Sequence, residues 1–529
     1  MSSFIFSGML EGSEGKIIKV EAQIARGLPY FIIVGLGDTA VIEARERVKT
    51  AMQVSGFEFP RFRKVVNLSP AHTKKHGTQF DLAIAVSLLR ESKQVIARDI
   101  LDSSVFIGEL SLDGSIRGTR GTLAIVEAAK KAMFKNVFVG AERASEALLV
   151  KDIRVFAPKN LQELMAHLKG EKTLKEASAI GLRPSRKVFQ KTIKGHSLIK
   201  RAVQIATLFR HHLVLIGPPG AGKSLLARSI ESMAPLLTEP EIPEVAKIYS
   251  AFTDENFGDG KIYRPFREVS GTVNLSNFTA EMSLAHKGFL FLDDFHNFSR
   301  AHIEAILKPM EERTIFVNSG RKKISLPADF MLVATMNPCP CGQKSVFDDG
   351  KCKCKEWECR RYFGRFPQAF WDRVDMVVEV GGEEDLGARE ESELVKRGER
   401  EDLGPSGNSE LVKRRGLRED LGPSATSELV KRGIREEKIR EIAEIQQQRL
   451  KGFGVSFNGE MPDEAIAQTC KLDERGEELM LKALKMKMVS GRGYFNAIKL
   501  ARSIADFEGH EWIEPTDIAE AIGYKRVPN

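Results

Sequence analysis

Long apolar runs are missing from this 529-residue sequence. A membrane helix needs about 20 consecutive apolar residues, and one of the clearest apolar stretches here, Gly288–Leu292, has only the length of a short strand. The first residues, MSSFIFSGMLEGSEGK, also lack the basic stretch and apolar core of a secretory signal. These two absences favour a cytoplasmic protein with no membrane partner.

Neither cysteine nor charge of one sign is abundant. Five of the six cysteines fall within Cys339–Cys359, which indicates a local site rather than a disulfide framework. The 80 basic residues are nearly balanced by 72 acidic ones, so the net charge is only +8. This balance permits a nucleic-acid partner without requiring one.

The pattern of helix and strand signals divides the chain into five predicted segments. Short β-rich runs alternate with helical stretches near the amino terminus, which indicates an α/β domain followed by a charged linker. A helix, a strand, a glycine-rich loop and a helix then indicate a parallel-sheet core, and amphipathic helices return near the carboxyl terminus. The predicted segments are 1–168 (α/β domain), 169–189 (linker), 190–382 (α/β core with a cysteine-rich insertion at 339–359), 383–435 (insertion) and 436–529 (helical lid).

The predicted insertion is repetitive. EDLG begins at positions 384, 401 and 419, and ELVKR begins at 393, 410 and 428. A solenoid fragment, a binding array and a low-complexity insertion are all compatible with such repeats. The few recurring apolar side chains of each unit bury too little surface to offset the entropy of ordering. We therefore favour a flexible insertion.

One glycine-rich stretch makes a specific chemical prediction. It reads GPPGAGKS, follows the apolar run LVLI and precedes the helical pattern LLARSIESM, which is the context of a phosphate-binding P-loop. Glycines let the backbone amides wrap the phosphates of ATP, Lys223 should reach the β- and γ-phosphates, and Ser224 should bind Mg²⁺. The predicted ATP-binding residues are Gly217, Pro218, Pro219, Gly220, Ala221, Gly222, Lys223 and Ser224.

Two further apolar runs end in polar residues. GFLFL leads into Asp293 and Asp294, and FMLVATM leads into Asn337. Ligands of a parallel sheet bind at the carboxyl ends of its strands, so these side chains are predicted to join the P-loop. Asp293 would hold Mg²⁺, and Asp294 would orient or deprotonate the attacking water. Asn337 would hydrogen-bond the γ-phosphate or that water.

The chain resembles the magnesium-chelatase-like AAA+ ATPases, and among them the competence-associated group often called ComM or YifB. The similarity lies in GPPGAGKS, SLAHKGFLFLDDF, LPADFMLVATMNPCPCG, RRYFGRF, WDRVD and SGRGYFNAIKLARSIADFEG. Upstream, VNLSPA and GELSLDGSIRGTRG resemble that group's Lon-protease-like domain. The resemblance covers nearly everything except 384–435. It implies an α/β fold: a Lon-protease-like α/β domain, an AAA+ P-loop core with a parallel sheet, and a C-terminal helical lid.

The resemblance also assigns roles to two arginines. Arg373, in WDRVD, matches the arginine finger that enters a neighbouring subunit's ATP site and stabilises the transferring phosphoryl group. Arg492, in SGRGYF, matches the sensor-2 arginine of the lid. A finger acting between subunits implies a ring, which the family implies to be a homohexamer.

Two departures from the family pattern change what we expect of the chemistry. Family members usually carry Glu at the position of Asp294, and the shorter side chain predicts slow hydrolysis with ATP binding retained. The amino-terminal domain shows no serine–lysine dyad, so proteolysis is not expected. Lys74 and Lys75 are interpreted as surface residues.

The clustered cysteines form two C-x-C pairs, Cys339 with Cys341 and Cys352 with Cys354. Structural zinc is bound tetrahedrally by four thiolates, and a Gly/Asp-rich hairpin between the pairs could bring them together. C-x-C is less typical than C-x-x-C, and reduced cysteines also serve as small apolar residues. A structural Zn²⁺ site and a plain apolar role both remain open.

A basic triplet, Arg321, Lys322 and Lys323, is the candidate contact with DNA. In related ring helicases a hairpin here projects into the central pore, where cations suit sequence-independent contacts with phosphates. From composition alone, a solvated surface turn explains the triplet as well. The segments Glu241–Val245 and Thr253–Lys261 fall where these families insert a helix and loop, which makes them a second candidate pore element.

The leading functional hypothesis is a Mg²⁺-dependent ATPase that works as a hexameric DNA motor or helicase. The resemblance implies that it promotes branch migration of single-stranded or branched DNA during recombination of incoming DNA in natural transformation. One alternative is a chelatase-like protein-remodelling or metal-insertion ATPase. Another is a slowly hydrolysing, nucleotide-dependent assembly factor.

Overall fold

The structure is a computed structural model and describes residues 3–96, 98–178, 182–188, 197–255, 257, 259–319, 322–344, 352–381, 436–486 and 489–525. The predicted insertion at 383–435, Arg321 and the side chains of Lys322 and Lys323 lie outside the described residues. The chain forms two compact units. The first unit contains Met1–Ser185, Leu237–Tyr263 and Phe316–Leu326, and the second contains Arg186–Leu236, Arg264–Ile315 and Pro327–Asn529.

The amino-terminal part alternates strands and helices, as its sequence pattern predicts. Its elements are β1 (Ser3–Glu11), β2 (Glu14–Ala25), β3 (Phe31–Val34), α1 (Thr39–Val54), β4 (Arg63–Ser69), α2 (Asp81–Glu91), α3 (Arg98–Asp102), β5 (Ser104–Ile107), β6 (Glu109–Leu110), β7 (Ile116–Arg117), α4 (Thr122–Lys131), β8 (Asn136–Val139), α5 (Ala144–Ala147), β9 (Arg154–Phe156), α6 (Leu161–Leu168) and β10 (Arg183–Ser185).

A seven-stranded mixed sheet, in the order β3-β4-β2-β1-β5-β8-β9, organises this part. The pairs β1–β2 and β2–β4 are antiparallel, and the remaining pairs are parallel. Helix α2 contacts β1, β2 and β5 through an almost continuously buried run, including Leu82, Ile84 and Leu88. Such burial explains why its sequence, DLAIAVSLLRE, is apolar on most sides rather than on one stripe.

The surface interpretation of Lys74 and Lys75 is correct for one residue and wrong for the other. Lys74 is exposed, whereas Lys75 is fully buried and its ammonium group donates to the carbonyl of Pro70. The backbone of Lys75 accepts from the amide of Asp38 at 2.9 Å and donates to the carbonyl of Leu36 at 2.9 Å. These bonds to residues distant in sequence keep Lys75 buried. The sequence around the two adjacent lysines does not indicate such bonds.

The middle part of the chain carries the predicted core. Its elements are α7 (Ser197–Phe209), β11 (Leu213–Ile216), α8 (Lys223–Met233), α9 (Glu241–Phe252), β12 (Lys261–Tyr263), β13 (Phe266–Val269), α10 (Leu275–Leu284), β14 (Phe289–Leu292), α11 (Arg300–Leu307), α12 (Pro309–Glu312), β15 (Thr314–Ser319), β16 (Lys322–Pro327), β17 (Met331–Met336), α13 (Glu356–Phe363), α14 (Gln368–Trp371) and β18 (Met376–Glu379).

Five of these strands form a parallel sheet in the order β13-β14-β17-β11-β18. Every residue of β11, β14 and β17 is buried, so their runs LVLI, FLFL and MLVATM carry almost no polar side chains. Continuous apolar strands are typical of a parallel sheet covered on both faces. The predicted parallel-sheet core is confirmed.

The carboxyl-terminal part is helical, as its amphipathic pattern predicts. Side chains of its helices, such as Ile442, Leu500 and Ile504, belong to one hydrophobic cluster with Leu208 and Val333 of the core. Burial of these faces stabilises the lid on the core. The helices are α15 (Glu436–Arg449), α16 (Asp463–Thr469), α17 (Glu474–Lys485), α18 (Gly491–Glu508) and α19 (Pro515–Gly523).

Two chain segments that lie between core elements in the sequence belong to the first compact unit. Helix α9, which contains the predicted pore segment Glu241–Val245, packs against α4, and the amide of Gly121 donates to the carbonyl of Ser250 at 2.7 Å. Lys247 pairs with Glu14 at 2.7 Å and with Glu127 at 2.9 Å. The second segment forms most of the two-stranded sheet β15–β16, which is the hairpin predicted to contact DNA.

No helix among the described residues is long and apolar enough to cross a membrane. Because the fold has a mixed α/β amino-terminal part, a parallel core sheet and a helical end, the predicted α/β fold class is confirmed.

Candidate nucleotide site

Three neighbouring parallel strands bring the predicted site residues to one edge of the core sheet. Strand β17 lies between β11 and β14, with Ile216 opposite Met336 and Leu292 opposite Ala334. The polar residues follow immediately after these strand ends. The sheet therefore places the P-loop, the two aspartates and the asparagine side by side, as the sequence predicts.

The glycines of the P-loop have separate conformational reasons. Gly220 and Gly222 have φ values of +82° and +81°, a region that residues with a Cβ rarely adopt. Gly217 is needed for close approach, because a Cβ there would lie 2.1 Å from the carbonyl oxygen of Val380. Helix α8 begins directly after Gly222, with no side chain capping its first amides. A helix start with free amides favours an anion such as a phosphate.

Lys223 connects the P-loop to the end of β17. Its ammonium group donates to the carbonyls of Gly217 at 2.7 Å and Pro218 at 2.9 Å. It also lies 3.3 Å from the side-chain oxygen of Asn337. Burial lowers the pKa of Lys223, and the nearby Asp294 and Asp293 oppose that shift. The cation thus sits among oxygen acceptors at the loop that would receive the phosphates.

Ser224 and Asp293 form the candidate magnesium site. The hydroxyl of Ser224 donates to a carboxylate oxygen of Asp293 at 2.8 Å. Hydroxyl and carboxylate oxygens are the hard ligands that Mg²⁺ prefers, with waters and phosphates completing the octahedron. The donor set therefore fits Mg²⁺, and the short serine–aspartate distance shows that the two groups can share one ion.

Thr335 is a site residue that the sequence reasoning missed. Its hydroxyl donates to the same oxygen of Asp293 at 2.6 Å and accepts from the backbone amide of Asp294 at 2.9 Å. One side chain therefore orients both aspartates. The signal available in the sequence was Thr335 itself, a hydroxyl residue within the otherwise apolar run FMLVATM. A hydroxyl buried in such a strand requires a hydrogen-bond partner.

Asp294 has an unusual backbone. Its φ and ψ of 51° and 52° are left-handed, which costs a non-glycine residue about 1–2 kcal/mol. Such strain is concentrated at functional sites, where the surrounding structure holds it in place. The amide of Asn337 lies nearby, 3.4 Å from the imidazole of His296, a second residue that the sequence reasoning did not single out.

The two predicted arginines, Arg373 and Arg492, share one acidic partner. The guanidinium groups of Arg373 and Arg492 both pair with the carboxylate of Glu311. Arg373 also donates to the carbonyl of Ala369 at 2.6 Å. Among the described residues, neither arginine makes a polar contact with residues 217–224.

The two C-x-C pairs converge on one point. The four sulfurs of Cys339, Cys341, Cys352 and Cys354 lie within 4.8 Å of one another. Cys352 lies 3.8 Å from Cys339 and 3.7 Å from Cys341. Zinc–sulfur bonds of about 2.3 Å in a tetrahedron require sulfurs about 3.8 Å apart. The cluster is thus able to hold a metal ion, and the fifth thiol, Cys359, is buried outside it.

Family models cover the two domains and the lid. The model described as magnesium chelatase, subunit ChlI, matches residues 190–386, and its C-terminal model matches residues 433–525. A further model, subunit ChlI of Mg-chelatase, matches residues 20–143. The matches therefore follow the chain from the amino-terminal domain to the lid.

Individual relatives extend over nearly the whole chain. Competence protein ComM of Haemophilus influenzae is 30% identical over 99% of this chain and 97% of its own length. The uncharacterized protein YifB of Escherichia coli is 31% identical over 96% of this chain and 94% of its own. Lon protease 2 of Bacillus subtilis is 22% identical over a shorter stretch, 24% of this chain and 28% of its own. Because the chain has a P-loop core and a helical lid and matches these family models and relatives, it belongs to the magnesium-chelatase-like AAA+ family, in the group that contains ComM and YifB.

Proposed function

We propose that this protein binds Mg²⁺-ATP at Gly217–Ser224 and hydrolyses it. The observation that carries the proposal is the junction at the ends of β11, β14 and β17, where Lys223 contacts Asn337 and Ser224 contacts Asp293. Lys223 would exchange its carbonyl partners for the β- and γ-phosphate oxygens. Ser224 and Asp293 would hold Mg²⁺, which when bound would supply positive charge to offset that of the phosphates.

The remaining residues supply positioning for the attacking water. Asp294, fixed by its backbone bond to Thr335, would accept a hydrogen bond from the water and orient it. The amide of Asn337 would bind the γ-phosphate or the same water. Arg373 of a second copy would stabilise charge on the transferring phosphoryl group. The site is then complete only in an assembly, for which we propose a homohexameric ring.

Lengthening the side chain that positions the water is expected to accelerate hydrolysis. Asp294→Glu moves the carboxylate about one methylene closer to the water, and we expect kcat to rise about tenfold, because misplacement by about 1 Å costs up to 100-fold. Steady-state phosphate release at saturating ATP measures the change. Asp294→Asn, which cannot accept a proton, is the matched control and should lower kcat. A lower kcat in Asp294→Glu would contradict the assigned role.

We further propose that the hydrolysis drives a cytoplasmic motor or helicase that promotes branch migration of single-stranded or branched DNA. Three observations support this proposal. A relative similar over nearly its whole length is named a competence protein. Lys322 and Lys323 begin β16 of the hairpin β15–β16, and Arg321 precedes them in the sequence, which gives three consecutive cations suited to phosphate contacts. Arg373 and Arg492 pair with Glu311 and, among the described residues, make no polar contact with their own P-loop, which supports action on a neighbouring subunit of a ring.

DNA-stimulated ATPase activity tests this motor. We expect branched or single-stranded DNA to raise kcat, and the stimulation to fall steeply as salt increases, because phosphate contacts release counterions. Replacing Arg321, Lys322 and Lys323 by Ala should remove the stimulation and leave the basal rate. Arg475, Lys482 and Lys485, exposed on α17, provide a matched triple replacement that should change neither rate. Equal loss in both triple variants would exclude a specific role for the hairpin.

Absence of stimulation in the wild-type protein would favour the other candidate functions. The family models take their name from magnesium chelatase, so a protein-remodelling or metal-insertion ATPase is the first of them. Tight ATP binding with scarcely any turnover would favour a nucleotide-dependent assembly factor instead. The shorter side chain at Asp294 is the feature that supports this second candidate.

We also propose that Cys339, Cys341, Cys352 and Cys354 bind one structural Zn²⁺. Elemental analysis of the purified protein should find about one zinc per chain. The double variant Cys339→Ser/Cys352→Ser should lose the zinc and unfold at a lower temperature, since metal-binding energy contributes to folding. Cys470→Ser removes a buried thiol of the lid and should keep the metal. Zinc retained in the double variant would contradict the site.

A further inference from the structure

Glu311 lies where three separate segments of the second compact unit meet. It belongs to the short helix α12, and each of its carboxylate oxygens accepts a hydrogen bond from a different guanidinium group. One oxygen pairs with Arg373, which lies between α14 and β18, and the other pairs with Arg492, in the first turn of the lid helix α18. A single carboxylate thus connects the two arginines to which the family resemblance assigns roles.

The electrostatics explain why the two cations need this carboxylate. Two guanidinium groups held close together repel each other, and a shared anion offsets one of the two charges. Charge-assisted hydrogen bonds from guanidinium forks are also strongly directional. The ion pairs with Arg373 and Arg492 hold the pKa of Glu311 below its usual range, so the carboxylate is ionised at neutral pH.

Hydrogen bonds between the lid and Asp372 hold Arg373 and Arg492 in the same relative position. Asp372, next to Arg373, accepts a hydrogen bond on its side chain from Ser490 at 3.0 Å. Its backbone carbonyl accepts from Asn496 at 3.2 Å. The beginning of α18 is therefore docked on the segment that carries Arg373. Arg492, whose side chain is 49% exposed, has no described polar partner other than Glu311.

We propose that Glu311 is a positioning residue that fixes Arg373 and Arg492 as one pair facing the γ-phosphate of ATP bound to a second copy of the chain. This inference rests on the proposed ATPase function. Glu311 does not touch the nucleotide. It fixes the positions of the two guanidinium groups before they contact the phosphates of the second copy. The free-energy cost of bringing the two cations together is then not incurred during the reaction.

The replacement Glu311→Gln tests the proposal because it keeps the shape and removes the charge. We expect kcat to fall about tenfold, the scale of a misplaced catalytic group, while the dissociation constant for ATP stays within about twofold. Glu312→Gln is the matched control, since Glu312 lies next to Glu311 on α12 and, among the described residues, forms an ion pair only with the exposed Lys308 of the preceding turn, at 3.3 Å. It should leave kcat unchanged. The urea midpoint of Glu312→Gln should match that of the wild-type protein, because its exposed ion pair contributes little to stability. The midpoint of Glu311→Gln shows whether that variant is equally folded, because Arg373 is less exposed than Lys308.

A double-variant comparison separates positioning from a merely structural role. If Glu311 acts through Arg492, then Glu311→Gln combined with Arg492→Ala should lower kcat by less than the product of the two single effects. A combined effect equal to that product would overturn the inference, and so would a kcat for Glu311→Gln within twofold of wild type. A rise in kcat would also overturn it, because it would mean that Glu311 restrains the arginines instead of positioning them.

The wild-type rate distinguishes this inference from the function on which it rests. If the wild-type protein and Glu312→Gln both hydrolyse no ATP, the proposed ATPase function fails, and the inference fails with it. If both hydrolyse ATP and Glu311→Gln does so at the same rate, only the inference is overturned.

Discussion

Replacing Lys223 by Ala is expected to lower kcat for ATP hydrolysis about 100- to 1,000-fold, the usual effect of removing one donor from developing negative charge. The lysine is positioned for this role, since it lies among the carbonyls of Gly217 and Pro218 and the amide of Asn337. ATP binding should weaken as well, because a charge-assisted contact with the phosphates is lost. Phosphate release and the binding of a fluorescent ATP analogue measure the two effects.

The control for this variant is Lys308→Ala, on the exposed side of the core. Lys308 pairs with Glu312 one turn away, so its removal should leave both hydrolysis and binding unchanged. Circular dichroism should show both variants folded, because the hydrogen bonds that the structure describes for the Lys223 ammonium group go only to the carbonyls of Gly217 and Pro218 and to Asn337. Undiminished hydrolysis by a folded Lys223→Ala variant would mean that nucleotide is consumed elsewhere.

Replacing Arg373 by Ala is expected to lower kcat about 1,000-fold and to leave ATP affinity nearly unchanged, since arginine fingers contribute 10³- to 10⁵-fold. The reason is geometric. In the part of the chain that the structure describes, Arg373 makes polar contacts with Glu311 and Ala369 and none with the P-loop residues, which supports the proposal that it acts on a neighbouring subunit. Arg360→Ala, which removes an exposed arginine paired with Glu356, is the matched control and should behave as wild type.

Mixing two inactive variants makes this prediction sharper. Arg373→Ala subunits keep an intact ATP site, and Lys223→Ala subunits keep the arginine. A mixed assembly should therefore regain ATPase activity at the interfaces where a Lys223→Ala subunit contributes Arg373 to its neighbour. Mixed subunits that assemble and remain inactive would show that the arginine does not act between subunits.

The parts of the site that could be predicted from the sequence are those with a local cause. The P-loop is a contiguous motif, in which Gly220 and Gly222 are required by their backbone conformation and Gly217 by its close approach to the carbonyl of Val380. Asp293 and Asn337 were predictable because an apolar run followed by a polar residue indicates the end of a buried parallel strand. The same rule places both residues correctly at the edge of the sheet.

The parts that could not be predicted depend on contacts distant in sequence. Thr335 precedes Asn337 by two residues in a run that is otherwise apolar, yet its hydroxyl hydrogen-bonds to both aspartates. Glu311 has no motif, and only the fold brings it to two arginines at 62 and 181 residues' separation. Lys75 is buried for the same kind of reason. Pairing between distant segments decides these cases, and local composition carries no record of it.

We propose that the junction of β11, β14 and β17 hydrolyses Mg²⁺-bound ATP. The most direct measurement is phosphate release by the wild-type protein and by Asp293→Asn, titrated with Mg²⁺, with ATP binding measured in parallel. We predict hydrolysis by the wild-type protein that requires Mg²⁺, and a loss of most of it in Asp293→Asn although ATP still binds. Hydrolysis that is independent of Mg²⁺, or equal in the two proteins, would contradict the account.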